Sequence, residues 1–235
     1  MDKTEASATL TRLLDLRSAP VAITFCDSPP AGVERVAAPR PAGCAYWRMA
    51  GSEGEVFYTE AADHHGCPVG AHTHAAPMPD EVRAGLEGLI GTMVKLEYLA
   101  ADEVPSIPTR AQPLRVAVYA PLAVAPLAPT VVLLRASGRQ LMLLQEAAQA
   151  IGAVGTGPTL GRPTCAILPQ AENSARTATS FGCIGNRTYT GLGDDEGWFA
   201  VPGAALDALC ARLEIVVRAN AALADFHRGR LDAAP

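Results

Sequence analysis

Four cysteines, Cys44, Cys67, Cys165 and Cys183, share a local setting that the other two, Cys26 and Cys210, lack. They sit in "PAGCA", "HHGCPVG", "RPTCA" and "SFGCIGN", stretches whose Gly and Pro residues let a backbone bend until a thiolate points at a shared centre. Cys26 instead ends an apolar strand-like run, and Cys210 falls within a helical pattern. Four soft thiolates suit a [4Fe–4S] cluster, with tetrahedral zinc as an alternative. A free cysteine also packs as a small hydrophobe, and one loop thiol can act as a nucleophile, so a metal-free thiol protein stays open. Spacing bears on the metal reading. Structural zinc takes close C-x2-C pairs and bacterial ferredoxins C-x2-C-x2-C, and neither occurs here. Dispersed single ligands fit a cluster seated in the cavity of a larger fold, with Gly66 and Gly182 admitting backbone N–H groups to it.

"HHGCPVGAHTH" holds His64, His65, His72 and His74, four of the five histidines. Read as a strand, it places His72 and His74 on one face, where neutral imidazoles suit zinc, iron or copper. Cys67 with a nearby histidine offers haem an axial thiolate, and each histidine is a candidate proton donor beside a cluster. Arg187, four residues after Cys183, is a candidate for binding an anionic substrate or balancing a cluster's charge. The run Asp194, Asp195 and Glu196 reads as a solvated turn entering a strand, with cation binding as its alternative. "GTGPTLG", residues 155–161, matches neither dinucleotide nor P-loop spacing, and no G-x-S-x-G or H-E-x-x-H occurs.

These residues need a scaffold, and the chain is long enough to build one. Its 235 residues are 49% hydrophobic but only 5% aromatic, so the core must be mainly aliphatic. A net charge of −5, without basic runs, argues against nucleic acid. No apolar run spans a bilayer and the N-terminus lacks a signal peptide's apolar stretch, so a soluble cytoplasmic protein with no membrane partner is expected, with reduced thiols. Strands are predicted at "PVAITF", "EVFYTEA", "RVAVYAPL", "TVVLLRA" and "GWFAVPG". Helices are predicted around Leu10 to Leu14, from Asp80 through Val82, Leu86, Leu89, Ile90 and Met93, from Ser137 to Gly152, and from Leu206 to Val216 before a polar tail. The order strand, Cys-Ala, Gly-Cys, helix occurs twice, with Cys-to-Cys intervals of 23 and 18 residues. The expected fold is therefore α/β or α+β. Two similar halves, 1–110 and 111–235, arise by duplication and pack as one compact unit about a pseudo-two-fold axis, with the four cysteines at their junction.

Over "PVAITF", Cys44, Cys67-Pro68 with Gly70, Cys165, "SFGCIGNRTYTGLGDDE" and "FAVPG", the chain resembles the domain of unknown function 169 family, from about residue 8 to about residue 220. The resemblance implies that the four cysteines form a set. Many relatives carry a further cysteine where this chain has Asn186, so the implied set excludes that position. The expectation is an iron–sulfur protein with Cys44, Cys67, Cys165 and Cys183 as ligands. It would transfer electrons to a redox partner protein or reduce a small molecule, as a monomer or homo-oligomer. The alternative is a haem- or metal-binding carrier or sensor built on Cys67 and the neighbouring histidines.

Overall fold

The computed structural model describes residues 1–155 and 162–232. Residues 156–161, most of the "GTGPTLG" stretch, lie outside the described residues.

Six strands form one sheet: β1 (Val21–Cys26), β2 (Phe57–Glu60), β3 (Val116–Pro121), β4 (Val131–Ser137), β5 (Ala178–Ser180) and β6 (Glu196–Pro202). Their order is β2-β3-β1-β4-β6-β5, and every pairing is antiparallel. At the centre Val21 faces Leu133 across β1 and β4, while Val21 pairs with Pro121 and Val131 with Pro202 on the outer sides. Reading outward gives β1-β3-β2 on one side and β4-β6-β5 on the other. One parallel bridge extends each edge, Arg35 to Tyr58 and Val154 to Thr177. Sheet pairing thus places β3 beside β1 and β2.

The strands read as continuous apolar runs because helices cover both faces. Val131 and Leu133 enter one core while Val132 and Leu134 enter the other. Each such side chain contributes roughly 1.5–3 kcal/mol of burial, which offsets the entropy of ordering the strand. On one face lie α1 (Lys3–Leu14), α5 (Gly138–Ala150) and α8 (Leu206–Asp232), whose Leu10, Leu143, Leu144, Leu209 and Leu213 are fully buried. On the other lie the short helices α2 (Ala45–Ser52), α3 (Pro68–Thr73), α6 (Ile167–Ser174) and α7 (Ile184–Thr190). Tyr46, Trp47, Tyr119 and Trp198 fill the core beneath them.

Two predicted elements differ. The helix α4 (Asp80–Lys95) forms where expected, but of its apolar face only Leu86 is buried, because its main neighbour is the six-residue α3 and not the sheet. The "polar tail" continues α8 through Asp232, with Leu223 and Phe226 exposed. No helix of the described residues is long and apolar enough to cross a membrane.

Candidate functional site

All four cysteines lie on the α2/α3/α6/α7 face, each at or beside the start of a helix. Cys44 caps α2, Cys67 caps α3 and Cys183 caps α7, while Cys165 sits in a 3-10 turn, Thr164–Ala166, that leads into α6. The two capping thiols of α3 and α7 are held alike. Gly70 N–H donates to Cys67 Sγ at 3.4 Å, and Asn186 N–H donates to Cys183 Sγ at 3.5 Å, each from the third residue onward. Pro68 at the first position of α3 has no N–H to leave unpaired there.

The four thiols sense one another. Burial pushes the Cys44 thiol up to about 12, and the charges that Cys67 and Cys183 would carry add to the rise. Burial likewise holds the Cys165 thiol well above its ordinary value, and Cys67, Cys183 and Cys44 add to that rise as well. Early and late segments of the chain come together at these residues. Thr73 of α3 faces Cys165, Asn186 of α7 faces Cys44, and Cys183 N–H donates to Thr164 Oγ1 at 2.5 Å, one residue before Cys165. Cys44 is buried, whereas Cys67, Cys165 and Cys183 keep partial exposure, so the group opens toward solvent. Cys210 is buried in the opposite core and Cys26 bonds to Ser28 O at the end of β1; neither joins the set.

Four acidic groups gathered in a buried place repel when ionised, so their joint ionisation needs a compensating positive charge. Among the described residues, however, no group of three or more His, Cys, Asp or Glu side chains is arranged to hold a metal ion. A single zinc with Zn–S of about 2.3 Å needs its four sulfurs at about 3.8 Å from each other. A four-iron cluster spreads its thiolate sulfurs more widely than one ion does, and its donor set is four cysteines. Four cysteines are the donor set of a four-iron cluster and also of a tetrahedral zinc.

The family profile of DUF169, described as uncharacterised ArCR, matches residues 9–212. The chain belongs to the DUF169 family. No curated protein and no solved structure matches it. The DUF169 match takes in all four cysteines and both halves of the sheet, and ends within α8.

The histidines separate into two kinds. Residues 68–73 are helical, so His72 and His74 do not share a face as a strand would give them. His74 Nδ1–H donates to Gly70 O at 2.8 Å, and His64 Nε2 lies 2.9 Å from Thr59 Oγ1. Both rings are buried, with centroids 5.1 Å apart, and His64 Nδ1 and His74 Nε2 have no hydrogen-bond partner. Burial holds His64 well below its ordinary value and His74 at about 4, so both are neutral at pH 7 and neither is an imidazolium proton donor. A side chain at Gly43 would meet His64 Nδ1 at 3.2 Å, which places that nitrogen beside Cys44's neighbour. His65 bonds to Pro77 O at 2.8 Å and His72 is half-buried at the end of α3.

Arg187 is engaged by backbone carbonyls. Its guanidinium donates to Gly193 O at 2.7 Å and to Phe181 O at 2.6 Å, which laces the loop that carries Cys183. Asp194 is solvated, as the turn reading expects, while Glu196 is buried against Arg135 and receives Gly193 N–H at 2.7 Å. The two glycines are required sterically. Gly182 has φ +84°, and a Cβ there would lie 2.6 Å from Leu192. At Gly66 it would lie 2.9 Å from Arg40 O.

Thr73, Thr164 and Trp198 were not singled out from the sequence, and Asn186 entered only as a departure. One pattern points to Asn186: it stands three residues after Cys183, as Gly70 stands three residues after Cys67, and both donate their N–H to the thiol.

Proposed function

We propose that Cys44, Cys67, Cys165 and Cys183 bind a [4Fe–4S]-type cluster and that the protein transfers electrons to a redox partner or to a small molecule. The observation that carries this is that four cysteines lead helices on one face of the sheet, with Cys183 N–H on the Thr164 hydroxyl and Cys67 and Cys183 close enough to raise both Cys44 and Cys165, apart from the two remaining cysteines. The matching order of strands and cysteine-led helices supports a duplication about a pseudo-two-fold axis, with the cysteines near its junction.

When bound, such a cluster supplies one-electron chemistry that ordinary side chains lack. The chain's own groups supply the setting. Gly70 N–H and Asn186 N–H donate to two of the sulfurs and so favour their anionic form. Trp47, Trp198 and Ile167 exclude water from the inner side, while the partial exposure of Cys67 and Cys183 leaves an approach from outside. Neutral His64 and His74 add no charge to the inner wall. The haem or carrier alternative would use Cys67 and a neighbouring histidine in place of the four-cysteine set.

The test is iron and acid-labile sulfide content after anaerobic reconstitution of single Cys→Ser variants. Loss of iron in Cys44→Ser, Cys165→Ser and Cys183→Ser, with Cys26→Ser and Cys210→Ser unaffected, is expected. Iron bound equally by all five variants would overturn the assignment.

A further inference from the structure

Asn186 is 1% exposed, and its side chain is fixed at one end. Trp198 Nε1–H donates to Asn186 Oδ1 at 2.8 Å, and Trp198 is itself wedged edge-on against Trp47, with ring centroids 5.2 Å apart at 77°. With Oδ1 committed to the indole, the amide cannot flip, and its Nδ2 donors must point the other way. That nitrogen is buried without any hydrogen-bond partner, a costly state for a donor. What it faces is the Cys44 thiol, while the backbone N–H of the same residue serves Cys183 Sγ. One residue thus addresses a sulfur from each half of the molecule.

We infer that Asn186 is a positioning residue of the thiol site, its side-chain N–H donating to the Cys44 sulfur, or to an inorganic sulfide beside it, in the charged state. This rests on the cluster reading given above. A hydrogen bond to a thiolate or sulfide withdraws electron density and stabilises the reduced, more negative cluster, so it raises the reduction potential. Trp198 acts through Asn186: without the indole donor, Oδ1 is free to rotate toward sulfur, where it repels instead of donating.

The experiment measures the midpoint potential of the anaerobically reconstituted full chain by spectroelectrochemical titration, in the wild type, Asn186→Leu and Trp198→Phe. Leucine matches asparagine in branching and heavy-atom count and lacks the donor; Trp198→Phe keeps Asn186 and the aromatic packing, and carries the test if Asn186→Leu does not fold. Both variants are expected to keep the wild-type iron and sulfide content and to show a lower potential, with Asn186→Leu shifted further. An unchanged potential in a folded variant with full iron and sulfide overturns the role of Asn186 and leaves the cluster reading intact. A wild-type chain that takes up no iron and sulfide overturns both.

Discussion

Arg110 joins the two halves beside the thiol site, and its removal has a calculable cost. Its Nε and Nη2 donate to the two carboxylate oxygens of Glu172 on α6 at 2.7 and 2.8 Å. The guanidinium also lies 3.8 Å from the ring centroid of Phe25, and its backbone N–H donates to Thr73 O at the end of α3. The pair therefore fixes α3, which begins at Cys67, against α6, which follows Cys165. Side-chain exposure is 6% for Arg110 and 21% for Glu172, so the pair is mostly desolvated. Arg110→Met keeps the apolar stem but strands the carboxylate. Removing one partner of a fully buried pair costs about 3–5 kcal/mol, and the partial exposure of Glu172 reduces this to about 2. Loss of the cation–π contact adds about 1 kcal/mol, for a total near 3. With a urea m-value of about 3 kcal/mol/M for a chain of this size, the midpoint is expected to fall by about 1 M. Adding Glu172→Gln removes the stranded charge and is expected to recover about half of that. A fall below about 0.3 M in Arg110→Met, or no recovery in the double variant, would refute the reasoning.

Stability is expected to fall with acid through His74. Its folded pKa, about 4, lies below the ordinary 6.5, so the unfolded chain binds the extra proton; the stability is complete above pH 6.5 and drains as pH falls toward 4. This amounts to about 2 kcal/mol between pH 7 and 5, and the pH dependence of the urea midpoint should be smaller by about that amount in His74→Asn, the remainder including the contribution of buried His64. Gly182→Ala, which combines a positive φ with an overlap on Leu192, is expected to cost about 3 kcal/mol by thermal or urea unfolding. A variant as stable as the wild type would contradict the close packing of that loop.

Much of this was legible in the residues. The inner strands announced themselves because both faces are buried, so "VAVYAP" and "VVLLRAS" are unbroken apolar runs. What hid was short or locally contradictory. The helix α6 carries Pro169, which a helix tolerates only because it falls in the first turn, and α3 mixes proline and glycine with histidine in six residues. The strand β5 has three residues, too few for any alternation to register. Cysteine positions were visible as a set, since Gly and Pro mark where a chain can bend. Their distances depend on how β1 pairs with β4, a long-range contact that no local pattern encodes. For Arg187 and the histidines, chemical competence is readable from residue type, whereas the carbonyls and burial that engage them are not.

The most direct test of the central claim is the composition of the protein purified without oxygen, with iron, zinc and acid-labile sulfide assayed per chain beside the visible spectrum. About four irons and four sulfides, with broad absorption near 400 nm that bleaches on reduction, is the expected result. A colourless chain that lacks metal and takes up no iron or sulfide on reconstitution would contradict it.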